Sequence, residues 1–391
     1  MKKEIKFISN CFNTGYRSKS RKALENLREK NLDWDFIFEK MLQSDIAPPA
    51  YHNLSGLKNN KIPPLILEKL KSCYYYALIR NQFIRDTLYE ILNLFSAEDL
   101  SVLALKGIFM LDIIYEDIGS RSLADIDLLV KKNDLERTCR LLQDKGYRRI
   151  QEYPGQILYF KGGNSAEDRL RNILIEIHYD LNLPPPLSFS TDFLWHKVII
   201  REVRGVRIVY PCLENNIIYA ALHFFHHFSD VFIYQGRFQG AFPSLKSILD
   251  IHEIISRKQG AIDWDYILEF CRINKAVYII YLSMYLSKIY FMTPIPKAFM
   301  NKIKPSFFRR IILKVFLSGY IDMQNSKITW KKLRIANCAY YSLLEKSYFR
   351  KRFLYPVSEF AKERRLPYPS FVAFFLYAIR FFLWLNILIF F

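Results

Sequence analysis

Glycine and proline are sparse in this 391-residue chain, at 13 and 16 residues, which excludes collagen-like repeats and low-complexity disordered chains. The six cysteines, Cys11, Cys73, Cys139, Cys212, Cys271 and Cys338, stand far apart with no CxxC pair. They supply neither a disulfide framework nor a zinc-ribbon spacing, and a reducing cytoplasm is the expected home. The opening Met-Lys-Lys-Glu-Ile-Lys-Phe-Ile-Ser-Asn lacks the apolar core of a signal peptide, so secretion is not expected. Neither a Gly-x-Ser-x-Gly elbow, nor a Walker A loop, nor a dinucleotide fingerprint occurs, and those chemistries lack support. Acidic residues are in deficit too, 38 against 57 Lys and Arg.

What is present argues for folded domains. The chain is 51% hydrophobic and 16% aromatic, too apolar for disorder despite a net charge of +19. Its length suits about two or three domains, each able to bury a core. The charge is unevenly spread. Residues 301–391 hold 17 Lys and Arg against 4 Asp and Glu, leaving a net +6 for the first 300 residues.

Patterning divides the chain into four stretches. Residues 1–98 form an N-terminal helical region, with apolar residues at helical spacing through Leu32–Leu42 and Leu65–Phe95, punctuated by Pro48-Pro49 and Pro63-Pro64. Residues 99–210 read as a small α/β core. Leu100–Leu105 and Asp125–Val130 are strand-like, and Asp134–Gly146 is a helix closed by glycine. Gln156–Lys161 and Asn172–Tyr179 are two further strands. Val198–Val203 and Val206–Tyr210, separated by Arg204-Gly205, form a hairpin. Residues 211–300 are helical again, and 301–391 form a basic helical region with an apolar tail. The expected fold class is α+β, a small mixed-sheet core between two helical regions.

The chemistry concentrates in Leu103-Ala104-Leu105-Lys106-Gly107 and Arg121-Ser122-Leu123-Ala124-Asp125-Ile126-Asp127-Leu128-Leu129-Val130. On a strand, Asp125 and Asp127 point to one face and Ile126 and Leu128 to the other. Two adjacent carboxylates repel and lose hydration, and a hard divalent cation, Mg²⁺ or Mn²⁺, relieves both costs. Glu176, within Ile-Leu-Ile-Glu-Ile-His, is the third acid, expensive as a bystander in an apolar run; Asp168 and Asp180 compete for that role. His178, on the same face two residues on, can orient Glu176 or contact a phosphate. The Lys106-Gly107 turn joins a strand to a helix, where backbone approaches a phosphate closely, and Lys106 and Arg121 add positive charge. His223, His226 and His227 lie close to one helical face, with Asp250 and His252 on the following helix. Packing, an acceptor contact and a zinc site all remain open for them.

With these residues in hand, the chain resembles the bacterial uncharacterised nucleotidyltransferase family, a branch of the DNA-polymerase-β-like nucleotidyltransferase superfamily. The likeness rests on Leu-Lys-Gly, Arg-x-x-x-Asp-x-Asp-Leu-Leu-Val, the helix ending Gly146-Tyr147 and the later Glu-Ile-His, and runs over about residues 30–260. It implies a mixed sheet flanked by helices, metal-binding Asp125 and Asp127, and a third acid placed at Glu176. It also implies transfer of a nucleoside monophosphate from a nucleoside triphosphate to an acceptor, with release of pyrophosphate. On this reading Lys106, Gly107 and Arg121 bind the nucleotide, while His178, His223, His226 and Asp250 serve the acceptor or support the ligands. The wider superfamily usually carries Gly-Ser in the first turn, whereas Gly107 is followed by Ile108.

The acceptor is unnamed by the sequence: a small molecule, a glycan precursor or a protein. Two alternatives stand beside the enzyme, a catalytically inactive scaffold of the same fold and a polynucleotide-binding transferase or toxin. Arg350-Lys351-Arg352 and Lys362-Glu363-Arg364-Arg365 precede the apolar run 371–391. An anionic membrane surface is therefore expected as a partner ahead of nucleic acid, with the protein peripheral on the inner face; the tail reads as an interfacial anchor or a single span, or else as a terminal packed helix.

Overall fold

A computed structural model of the chain describes residues 3–12, 31–55, 62–163, 168–181, 190–233 and 245–306, with 310 and 313. The chain divides into two compact units: Met1–Leu183, Leu187–Phe228 and Gln239–Lys304 form the first, and Pro184–Pro186, Ser229–Phe238 and Pro305–Phe391 the second. The basic stretches and the tail at 371–391 lie outside the described residues. Among the described residues, no helix is long and apolar enough to cross a membrane.

The first unit begins with helices. After α1 (Lys3–Cys11), helix α2 (Trp34–Gln43) is opened by Asp33, whose carboxylate accepts the Phe36 N–H at 3.0 Å. The Pro48-Pro49 pair sits in the first turn of α3 (Ala47–Ser55), where missing N–H groups are tolerated. Pro64 opens α4 (Pro64–Ala97), a 34-residue helix that buries Ile66, Leu70, Ala77, Asn81, Ile84 and Leu88 at spacings of three, four and seven.

Strand β1 (Val102–Ala104) leads into α5 (Lys106–Phe109), which continues as a π-turn over Met110–Ile114. A 3₁₀ turn at Ile118–Ser120 precedes β2 (Ile126–Val130). Then come α6 (Leu135–Asp144), β3 (Arg148–Tyr153), β4 (Gln156–Lys161), α7 (Asp168–Arg171) and β5 (Ile173–His178). After α8 (Asp192–His196), β6 (Val198–Val203) and β7 (Val206–Pro211) make a separate two-stranded hairpin. Its turn residues Arg204 and Gly205 have φ of 53° and 76°, the backbone of a tight primed turn. Helices α9 (Leu213–Ile233), α10 (Leu245–Arg257), α11 (Trp264–Ile273), α12 (Val277–Phe291) and α13 (Lys297–Lys302) follow.

The fold is α+β, with one mixed five-stranded sheet in the order β1-β2-β5-β4-β3. Only β2 and β5 run parallel; the other neighbours are antiparallel. Every residue of β2 is buried, as expected for a central strand covered on both faces. The apolar periodicity misses β3, because all six of its residues are exposed. At the sheet edge, Arg-Arg-Ile-Gln-Glu-Tyr has no buried face to impose alternation, and its charges discourage edge-to-edge pairing.

Candidate active site

The parallel pairing of β2 with β5 sets Asp127 opposite Glu176 and Leu129 opposite His178. Because side chains alternate along each strand, Asp127, Glu176 and His178 emerge on one face. Their ligand atoms lie within 4.8 Å of one another, and among the described residues this is the group suited to hold a metal ion. His178 Nε2 is 2.8 Å from Asp127 Oδ1 and 3.4 Å from Glu176 Oε2.

Lys106, the first residue of α5, completes the cluster just past β1. The Leu105 N–H donates to the Asp127 carbonyl at 3.0 Å, which fixes the end of β1 beside the acid strand. Lys106 then takes a φ of 46°, an uncommon backbone for a side chain of this size and the sort of strain that persists where the surroundings impose it. Its ammonium lies 2.6 Å from Asp127 Oδ1 and 3.6 Å from Glu176 Oε2. Asp127 is nearly sealed at 3% side-chain exposure, while Lys106 at 18% and Glu176 at 15% reach the opening.

These charges govern one another. Burial alone would raise the Asp127 pKa, but the Lys106 ammonium and His178 hold it far below the usual carboxylate range. Burial would likewise depress Lys106, and Asp127, Glu176 and Asp125 instead keep it firmly protonated. For His178, burial and Lys106 favour the neutral ring, yet hydrogen bonds to Asp127 and Glu176 raise its pKa above the ordinary 6.5. Asp125 stands two residues ahead, before β2 begins, outside the 4.8 Å group. Burial, together with the charges of Asp127 and Glu176, pushes its carboxyl up to about 7.

Two carboxylates and an imidazole fit Mg²⁺ or Mn²⁺ in donor chemistry, with the carboxylates as the hard ligands. The nearly sealed Asp127, with Glu176 partly open to solvent, also suits an ion shared with substrate phosphates.

Arg121 and Gly107 have other neighbours. Arg121 is buried, and its guanidinium grips Asp250 of α10 in a two-pronged pair, Nε to Oδ1 at 2.9 Å and Nη2 to Oδ2 at 2.8 Å. A methyl group at Gly107 would meet the Leu123 side chain and stand 2.6 Å from Arg121 Nη1. Those two side chains would have to shift to admit the methyl, against the Arg121–Asp250 pair. Gly107→Ala is expected to cost about 1–3 kcal/mol by overpacking, read as a lower midpoint in urea unfolding.

His223 and His226 are half-buried on α9. His252 reaches Thr293 Oγ1 at 3.0 Å, and Asp180 pairs with Lys132 at 2.7 Å rather than with the acid cluster. One residue absent from the sequence reading is Tyr219, buried on α9 within electrostatic reach of Lys106, Asp127 and Glu176. Its ring lies 6.3 Å from that of His223, one helical turn on. The i, i+4 spacing was the available signal.

The family described as uncharacterised nucleotidyltransferase matches residues 30–292. Among solved structures, the chain is similar to an antigenic nucleotidyltransferase-like protein from Paracoccidioides brasiliensis, with 12% identity, a TM-score of 0.30, and coverage of 44% of this chain and 76% of that one. It is also similar to JHP933 from Helicobacter pylori, with 10% identity, a TM-score of 0.29, and coverage of 63% and 95% respectively. No curated protein matches. With two-thirds of its length matched and two acid strands paired as described, the chain belongs to the uncharacterised nucleotidyltransferase family.

Proposed function

We propose that the protein transfers a nucleoside monophosphate from a nucleoside triphosphate to an acceptor and releases pyrophosphate. The observation that carries this reading is the facing of Asp127 and Glu176 across parallel strands, with His178 and Lys106 on the same oxygen atoms. Asp127 and Glu176, with His178 beside them, would hold Mg²⁺ or Mn²⁺, and Asp125 adds a further acid. Bound there, the cation supplies Lewis-acid neutralisation of phosphoryl oxygens.

The chain's own groups do the rest. Lys106, part-exposed beside Asp127 and Glu176, donates to triphosphate oxygens, as a point charge suits a phosphate. Glu176 accepts the proton of the acceptor hydroxyl at a carboxylate oxygen. The acceptor oxygen bonds to the α-phosphorus, the bond from that phosphorus to its bridging oxygen breaks, and pyrophosphate leaves with the electron pair. Arg121 acts from behind, by holding the loop that carries Asp125 against α10. His223 and His226 are assigned to the acceptor side, whereas Asp250 is taken up by Arg121. The acceptor is a small molecule, glycan precursor or protein, and the setting is the cytoplasm, peripheral to an anionic membrane surface.

The test is thermal stabilisation of the full chain by each common nucleoside triphosphate with Mg²⁺ or Mn²⁺, followed by assay of pyrophosphate release. Stabilisation that needs both ligands, with release, is expected. Absence of any metal-dependent stabilisation would sink the reading. It would favour a scaffold instead, for which the Lys106–Asp127 contact at 2.6 Å is the supporting observation, since an ammonium can neutralise the acid without an ion.

A pH dependence follows from Asp125. Its folded-state pKa of about 7 exceeds the ordinary 3.8, so its contribution favours the folded state below the ordinary value and is lost as pH rises through 7. Cation binding offsets the charge that then appears. The rise in Tm caused by Mg²⁺ is expected to be larger near about pH 8 than near about pH 5; an equal rise at both would contradict the assignment.

A further inference from the structure

We propose that Arg80 and Asn81, adjacent residues of the N-terminal helix α4, are positioning residues that set both acid strands. The inference rests on the functional reading above for its consequence, and on geometry alone for its substance. Asn81 is completely buried and spends its whole amide on one loop. Its Nδ2 donates to the carbonyls of Ile118 and, at 2.7 Å, Arg121; its Oδ1 accepts the Leu123 N–H at 3.0 Å. These three backbone groups lie in the segment that delivers Asp125 and Asp127.

Arg80, also buried, reaches both entrances at once. Its Nη2 donates to the Ala124 carbonyl at 3.3 Å, next to Asp125, and its Nη1 to the Leu170 carbonyl at 2.9 Å, just ahead of β5 and Glu176. One guanidinium therefore spans the two chain segments whose register puts Asp127 opposite Glu176. The helix is shaped for this approach. Ala77 is small and buried one turn before Asn81, and Gly119 comes so close to Tyr74 that a methyl there would stand 2.7 Å from the ring. Tyr74 itself donates to Asp117 at 2.8 Å, at the head of the same loop.

The Arg121 carbonyl and the Leu123 N–H are buried, so apolar packing in place of Asn81 would leave them without partners, while the part-buried bonds of Arg80 tie the two segments together. Asn81 and Arg80 thus fix acid positions without touching substrate. In the wider architecture, the N-terminal helical region becomes part of the catalytic apparatus.

The experiment compares Asn81→Ala, Arg80→Met and Arg80→Lys with Leu88→Ala, a cavity variant farther along α4, in the full-length protein. Hydrogen exchange is followed at peptides covering 118–126 and 170–176, and Mn²⁺ affinity is measured by calorimetry. Asn81→Ala is expected to speed exchange at 118–126 by about tenfold beyond any global change, and to weaken Mn²⁺ binding by a similar factor. Arg80→Met is expected to free both segments, and Arg80→Lys, which keeps a charged donor, to restore part of the protection. Leu88→Ala should lower Tm without this selectivity. Exchange in Asn81→Ala that rises uniformly, as in Leu88→Ala, would overturn the proposal, as would unchanged Mn²⁺ affinity with a freed loop. If the wild type binds no Mn²⁺, the functional reading fails, and the exchange pattern by itself still decides the positioning.

Discussion

Asp127→Asn is expected to lower divalent-dependent nucleotide turnover by on the order of 10³-fold, since the carboxylate is proposed as the central metal ligand and each tenfold is about 1.4 kcal/mol of barrier. The same change is expected to destabilise the fold. Asp127 is the acid to which both Lys106 and His178 are bonded, at 2.6 and 2.8 Å. Removing its charge leaves a largely buried ammonium with Glu176 at 3.6 Å as its nearest acid, and breaking a buried pair costs about 3 kcal/mol. The two effects separate in a second variant. Lys106→Met placed on Asp127→Asn removes the orphaned cation, so stability should recover in large part while turnover stays lost. Steady-state kinetics and urea unfolding of the two variants check this. Full turnover in Asp127→Asn would refute the assignment of the site.

The second large effect is structural. Arg121→Met is expected to cost about 3–5 kcal/mol, because it strands the buried Asp250 of α10 without its guanidinium partner. Arginine does not deprotonate in proteins, so the guanidinium that Asp250→Asn leaves behind stays charged. Both partners are buried, and the geometry is bidentate. Asp250→Asn should cost a comparable amount for the opposite reason, a guanidinium left with a weaker acceptor. The pair Arg121→Met with Asp250→Leu should then recover part of the loss, since replacing both members of a buried ion pair by apolar groups is far less costly than removing one. A double-mutant cycle from urea unfolding measures the coupling; a coupling energy near zero would show that the two charges act independently.

Much of the sheet was legible because its strands are short, apolar and bounded by turn residues. Asp125–Val130, Gln156–Lys161 and the hairpin around Arg204-Gly205 correspond within a residue or two to β2, β4, β6 and β7. The α6 helix ends at the expected glycine, Gly146, with a φ of 82°. Strand β3 was not legible, since an exposed edge strand carries no burial signal. The acids themselves could be read from the cost of a carboxylate in an apolar strand. Their partners could not. Arg121 and Asp250 are 129 residues apart in sequence and Asn81 and Arg121 are 40 apart, and no local pattern encodes such meetings.

The amino-acid sequence alone determined the α+β class and the strand-to-helix turn at Lys106-Gly107, and it named Asp125, Asp127 and Glu176 as the candidate acids. Those depend on local periodicity and on residues whose burial would be costly without a purpose. Tertiary structure alone decided that Lys106 and His178 share one Asp127 oxygen, that Arg121 faces Asp250, and that Arg80 and Asn81 of a distant helix hold the acid loops. Those are matters of register and long-range packing: the parallel pairing of β2 with β5 is set by contacts between segments about 50 residues apart, and a side chain's partner is known only when the chain has brought it there.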